Sequence, residues 1–362
     1  MRPIELRSDN SAGVPDPILD AIHSANAGSA LAYGADEVTA RLEARVREVF
    51  EHPTARVFPV TSGTAGNALG LSSLSPPWGA VMCHETAHIL NAEANATSLL
   101  SSGAQMIGLA GDDHQIAVDS LRAALDGAGW DDPHHTQPAV LSFTQPTDMG
   151  TVYPIEVISE LCSVARASGL RAHLDGARLA NAISSLGCAP ADVTWRAGID
   201  VFTLGATKNG AMSAEAIVSF DDAASKELVY RTKRSGHVTS KMRFQSAQIE
   251  AYLTDGLWLR LAANSNEMMR RLSDGLSALD VEVANRVDAN MAFLRLPDEV
   301  IDRLEADDLL FYRIAPGVIR FVTSWQTTVD DVDAALDRMS KALHHETATP
   351  ARAVDPVPAA GR

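Results

Sequence analysis

The chain has 362 residues, 46% of them apolar and 21% charged, enough for about two domains or one large α/β domain with an appendage. That composition excludes a disordered, collagen-like or disulfide-stapled protein. A formal net charge of −16 repels phosphate backbones and anionic lipid, so neither nucleic acid nor membrane is expected as the main partner.

In chain order, residues 36–51 place Val38, Leu42, Val46 and Phe50 four apart and predict a helix. Residues 56–60 read as a short strand, followed by Thr61-Ser-Gly-Thr-Ala-Gly-Asn67 and a helical run. Strands over 139–143, 170–174, 200–204 and 214–220 come next, with helices over 154–168 and 177–186. Pro154 and Gly169 bracket the first of those helices. Strands alternating with helices predict βαβ units and a mostly parallel sheet. Beyond about residue 255 the texture changes to a long helix over 257–279, short strands over 289–296 and 318–323, and an amphipathic helix over 328–343. The expected division is an N-terminal arm 1–35, a large domain 36–255, a smaller α+β domain 256–345 and a disordered tail 346–362, rich in Ala and Pro. The three cysteines, Cys83, Cys162 and Cys188, are widely spaced and fit a reducing cytosol. No apolar leader opens the chain and no run of about 18 apolar residues occurs, so a cytoplasmic protein is expected.

Three segments carry chemistry. Between a strand and a helix, the small residues 61–67 let backbone N–H groups and the Ser62 and Thr64 hydroxyls close on a phosphate, although the same residues make an ordinary strand–helix turn. The loop lacks the P-loop and dinucleotide fingerprints. His173-Leu-Asp-Gly-Ala-Arg178 ends a strand in Asp175, at the edge where ligands bind in open α/β sheets. An acid there can hold a protonated ring nitrogen; a helix cap beside a surface arginine is the alternative. Leu204-Gly-Ala-Thr-Lys-Asn-Gly210 sets Lys208 at the end of an apolar strand. Desolvation lowers a lysine's pKa and makes it a good amine nucleophile for a Schiff base; a surface lysine is again the alternative. Phosphate loop, strand-end acid and later strand-end lysine follow the order of fold-type-I pyridoxal-phosphate enzymes.

The chain resembles the low-specificity L-threonine aldolases, within the β-eliminating lyase group, from Leu6-Arg-Ser-Asp9 to about residue 343. The motifs are Tyr33-Gly34 before an acidic helix start, the Ser62-Gly-Thr64 cradle, Ala87-His88, Asp175-Gly-Ala-Arg178 and Thr207-Lys208. Gly205-Ala-Thr-Lys-Asn-Gly210 and Ser240-Lys-Met-Arg-Phe244 bring it nearest a bacterial branch that includes phenylserine-active relatives. The resemblance implies a fold-type-I architecture with a seven-stranded-type sheet and pyridoxal 5′-phosphate as cofactor. It implies cleavage of L-threonine, L-allo-threonine and other β-hydroxy-α-amino acids to glycine and an aldehyde. Lys208 would hold the cofactor as a Schiff base, Asp175 would pair with its ring N–H, and His88 would stack on the ring. Arg178 would contact the cofactor O3′ or the substrate carboxylate, and Ser62, Gly63 and Thr64 would bind the phosphate. Ser8 and Arg320 would grip the amino-acid carboxylate. Arg243, with Lys233 and Tyr33, would face a neighbouring subunit, which implies a homodimer or a tetramer of dimers. Other outcomes of the same set are β-elimination, transamination, or pyridoxal-phosphate binding without catalysis.

Two segments depart from the family pattern. Gln145-Pro-Thr-Asp-Met149 stands where many members carry a histidine considered for the β-hydroxyl proton, and Asp148 is nearest its place. The proton acceptor stays open between His88, a phosphate-bound water and another group. The glycine-rich stretch after His88 is altered to Glu93-Ala-Asn95. His84-Glu-Thr-Ala-His88 also matches the zinc-helix signature HExxH, but it follows a strand-like segment and no third-ligand pattern is evident, so no metal is expected.

Overall fold

Ala80-Val-Met-Cys83 and Ala216-Ile-Val218 show no polar alternation, so their strands must be covered on both faces. In the computed structural model, which describes residues 2–344, both lie inside a seven-stranded sheet. The short strand β1 (Ile4–Glu5) stands apart from it. The sheet contains β2 (Arg56–Val60), β3 (Gly79–His84), β4 (Gln105–Leu109), β5 (Gln137–Thr144), β6 (Arg171–Gly176), β7 (Val201–Leu204) and β8 (Glu215–Ser219). Their order across the sheet is β2-β8-β7-β6-β5-β3-β4. Strands β3 to β7 are mutually parallel, whereas β8 runs antiparallel to both β2 and β7. The expected α/β fold with a mostly parallel sheet is therefore present. The expected expanse of strand at 214–220 is there, but reversed, because Gly210 and its neighbours turn the chain straight back along β7.

One face of the sheet is apolar, with Leu141, Phe143, Leu174, Phe202 and Leu204 buried against helices such as Ile155–Ala167. The other face carries a polar stripe, Ser142, His173, Asp175 and Thr203, also buried. Helix Gly63–Leu74 covers that stripe. Gly66 and Gly70, one helical turn apart, let it settle closely: a Cβ at Gly66 would lie 2.6 Å from Thr203 Cγ2. The close approach sets Asn67 and the helix start beside Asp175.

The C-terminal residues build a second sheet, entirely antiparallel, from β9 (Glu282–Val283), β10 (Met291–Arg295), β12 (Tyr312–Ala315) and β13 (Val318–Val322), in the order β12-β13-β10-β9. Helices Leu257–Ala278 and Val329–His344 bury Met269, Leu272, Leu276 and Met339 against it. The chain start is tied into this cluster: β1 pairs in parallel with β11 (Leu309–Leu310), and the Val322 N–H donates to the Leu6 carbonyl at 2.9 Å. That tether delivers Ser8 and Asp9 to the end of the large sheet. The helix expected over 36–51 runs Glu37–Val49, capped by the Asp36 carboxylate on the Thr39 N–H at 2.8 Å. The helix expected from 177 starts at Leu179, because Asp175 and the residues after it form a turn rather than a cap. No helix among the described residues is long and apolar enough to cross a membrane. The tail expected over 346–362 lies outside the described residues.

Candidate active site

Parallel strands end at one edge of the sheet, and an antiparallel neighbour begins there. A cavity of about 510 Å³ opens at that edge, bounded by Thr144 of β5, Asp175 of β6, the turn after β7 and Glu215 of β8. Ser8, Ser62, Gly63, Thr64, His88, Asp175, Arg178, Lys208 and Arg320 all line it. Tyr33 and Arg243 do not line it.

Lys208 sits on a 3₁₀ turn, Thr207–Asn209, directly after β7. The turn is pinned from below: Asn209 Nδ2 donates to Tyr252 Oη at 2.9 Å and to the Trp258 carbonyl at 2.8 Å. The Ala206 N–H donates to Glu215 Oε2 at 2.6 Å. Lys208 itself has no ion pair or hydrogen bond among the described residues. Burial first, and then the nearby Arg178 cation, lower its pKa below the ordinary lysine value, while Asp9, Asp175 and Glu215 pull the other way. Burial pushes the Glu215 carboxyl up to about 7.

The Asp175 carboxylate is fixed on both oxygens. Asn67 Nδ2 donates to Oδ2 at 2.9 Å and the Ala177 N–H donates to Oδ1 at 3.0 Å. Asn67 also donates to Glu93 Oε1 at 3.0 Å, and the same oxygen accepts from His88 Nδ1 at 2.9 Å. A continuous chain therefore runs His88–Glu93–Asn67–Asp175. The hydrogen bond to Glu93 raises the His88 pKa, against the opposing effect of burial. The His88 main-chain N–H donates to Asp148 Oδ2 at 2.9 Å. Ser62 caps the helix over residues 63–74, accepting from the Ala65 N–H at 3.3 Å. A Cβ at Gly63 would meet nothing within 4 Å, so the cavity is open at this helix start.

Two arginines, Arg178 and Arg320, also line the cavity. Arg178 forks onto Asp9, with Nε to Oδ2 at 2.6 Å and Nη2 to Oδ1 at 2.9 Å. Burial alone would raise Asp9, but Arg178 outweighs it and holds the carboxylate below its usual range. Two of the donors that the sequence reading assigned to a ligand are thus spent on Asp9. Arg320, on β13, is lowered chiefly by burial, and its Nε is buried without a partner. Its guanidinium lies 5.6 Å from the Tyr312 ring centroid.

Asn67, Glu93, Asp9 and Glu215 are polar groups of this site to which the sequence reading gave no role. Asn67 and Glu93 had a local signal, one at the end of the 61–67 loop and the other in the altered stretch after His88. Tyr33, Lys233 and Arg243 lie elsewhere: Tyr33 is 58% exposed and Lys233 Nζ stands 4.5 Å from its ring centroid. His84 ends β3 and His88 opens a four-residue helix, His88–Asn91, so the two histidines do not share a helix face. Among the described residues no cluster of three or more His, Cys, Asp or Glu is placed to hold a metal.

Residues 5–299 match the family described as β-eliminating lyase. The chain belongs to this family. It is 37% identical over 326 residues to a low specificity L-threonine aldolase of a Pseudomonas species, covering 89% of this chain and 93% of that protein. It is 36% identical over 331 residues to a low specificity L-threonine aldolase of Pseudomonas aeruginosa, covering 91% and 94%. Among solved structures, a threonine aldolase of Leishmania major superposes with a TM-score of 0.87 at 28% identity, covering 92% of this chain and 98% of that one.

Proposed function

We propose that this chain is a pyridoxal-phosphate-dependent carbon–carbon lyase. It cleaves L-threonine, L-allo-threonine and related β-hydroxy-α-amino acids, phenylserine among them, to glycine and an aldehyde. The observation that carries the reading is the meeting of the unpaired, desolvated Lys208 amine, the doubly held Asp175 carboxylate and the unpartnered Arg320 Nε in one cavity. The donor set fits pyridoxal phosphate: an amine for its aldehyde, an acid for its ring nitrogen, and an open helix start at Gly63 for its phosphate. When bound, the cofactor supplies an electron sink for the pair released from the substrate's Cα–Cβ bond.

The residues then divide the work. Lys208 would hold the cofactor through its aldehyde, and its lowered pKa makes the free amine available below the usual lysine range. Asp175 keeps a proton on the ring nitrogen, and Asn67 and the Ala177 N–H stop the carboxylate from turning away. Ser62, Gly63 and Thr64 receive the phosphate. His88, steered by Glu93, covers the ring. Arg178 is braced by Asp9 and keeps one guanidinium nitrogen, Nη1, for the cofactor O3′ or the substrate carboxylate. Ser8 and Arg320 orient the amino-acid carboxylate, which decides which Cα bond is aligned for scission.

The division into an arm 1–35, a large domain 36–255 and a small domain 256–345 belongs to this proposal. So do a cytoplasmic location and a homodimer or homotetramer in which Arg243 and Lys233 face a neighbouring subunit's cofactor phosphate and Tyr33 reaches across toward its substrate. A product assay over a panel of β-hydroxy amino acids tests the reaction. Stoichiometric glycine and aldehyde are expected. Pyruvate or another keto acid in their place would contradict it and point to β-elimination or transamination.

A further inference from the structure

The acids around the cavity are not equivalent. Both oxygens of Asp9 are taken by Arg178, and Asn290 adds a third donor to Oδ2. Asp175 is held on both oxygens by Asn67 and Ala177. Glu93 is engaged by Asn67 and His88, and its second oxygen is sealed from solvent. Glu215 is buried beneath the Lys208 turn, where it accepts the Ala206 N–H.

Asp148 is different. Its Oδ2 accepts the His88 main-chain N–H at 2.9 Å, which fixes the carboxyl group in the cavity wall directly beside His88. Its Oδ1 has no hydrogen-bond partner among the described residues, is not sealed in the interior, and belongs to a residue that lines the cavity, which leaves that oxygen free to accept a proton. No cation pairs with it among the described residues. The donor that positions it is a backbone amide, which no side-chain change removes.

We propose that Asp148 is the catalytic base that takes the substrate's β-hydroxyl proton, a role that rests on the aldolase reading of this cavity. The O–H bond breaks and its proton passes to Oδ1. The O–H pair becomes the π bond of the aldehyde carbonyl. The Cα–Cβ pair stays with Cα, where the cofactor would supply the electron sink, and a proton later added at Cα gives glycine. In the direction of aldol addition, protonated Asp148 returns the proton to the developing alkoxide.

The surroundings suit that exchange. Burial first, and then the Asp175 charge, push the Asp148 carboxyl up to about 6, while His88 and Arg178 hold it from rising further. A base with a pKa near the working pH both takes and gives up a proton readily. The charged and titratable groups facing it are Asp175 of β6, His88 and its neighbour His84, Arg178, Arg320 of β13 and the buried Cys83 of β3. His114 and Tyr153 close the small void behind it.

Asp148→Asn keeps an oxygen for the His88 N–H and removes only the base. In the holoenzyme, cleavage of threonine and phenylserine is expected to fall about 100-fold or more in kcat. Exchange of the glycine α-proton with solvent deuterium, which needs the same cofactor and Lys208 but no β-hydroxyl, is expected to stay within about twofold. The rise of kcat/KM with pH through about 6 in the wild type is expected to flatten in the variant. In cofactor-free wild-type protein, the Asp148 carboxyl ¹³C resonance is expected to titrate near that pH, well above an ordinary aspartate. Cleavage at the wild-type rate would overturn the proposal, and so would equal losses of cleavage and glycine exchange. If the wild type made a keto acid instead of glycine and aldehyde, the aldolase reading itself would fail, an outcome that the wild-type product assay separates from failure of Asp148.

Discussion

The cavity and the outer face at Tyr33 and Lys233 use similar residue types under opposite conditions. In the cavity, lysine, arginine and carboxyl groups are drawn out of water, and the ionisation of Lys208, Arg320, Asp148 and Glu215 shifts accordingly. At the outer face, Lys233 stacks on the exposed Tyr33 ring, whereas Arg243 is half-buried, 5.1 Å from the Phe244 ring centroid, with its Nε buried and unpartnered among the described residues. The first region is assembled within one chain. The second is where the proposed oligomer would place a neighbouring copy. Burial gives a charged residue chemical work, whereas an exposed one waits for a partner.

Substitutions sharpen this contrast. The largest effect is expected from Lys208→Ala, which removes the only lysine amine lining the cavity among the described residues. Turnover should fall by about three orders of magnitude or more, and the visible absorbance of the covalently held cofactor should vanish while circular dichroism stays native. Asp175→Asn comes next. It keeps the shape but loses the charge opposite the ring nitrogen, so kcat should drop about 100-fold with cofactor still bound. Arg320→Lys replaces a fork with a point charge. KM for threonine should rise about tenfold, and kcat less, in steady-state kinetics.

Arg243→Ala tests the second region, where the loss of activity is expected in a neighbouring chain's site. Arg243→Ala should change unfolding free energy by only about 1 kcal/mol. Mixed with inactive Lys208→Ala protein, however, it should regain activity through shared oligomers if the two residues serve the same site from different chains. Equal inactivity of the mixture and its parents would place Arg243 outside the site and erase the contrast.

Much of this was legible in the residues. Strand ends at Asp175 and Lys208 and the small-residue loop at Ser62–Thr64 are local patterns, and the sheet brings them to one edge because parallel strands share a direction. The partners were not legible. Asn67 reaches Asp175 across 108 residues of sequence and Asp9 meets Arg178 across 169. Those pairings exist only once Gly66 lets its helix settle on Thr203 and once β1 is tethered to β11. The reversal of β8 was hidden for another reason: a strand buried on both faces reads the same in either direction. Lys208 is recognisable by position, but its lack of an ion pair among the described residues is a property of the folded wall around it.

Borohydride reduction of the holoenzyme followed by peptide mapping tests the central claim most directly. The account predicts a stable pyridoxyl group on the peptide containing Lys208 and on none containing Lys226, Lys233, Lys241 or Lys341. Label on another lysine, or no label on protein supplied with pyridoxal phosphate, would contradict it.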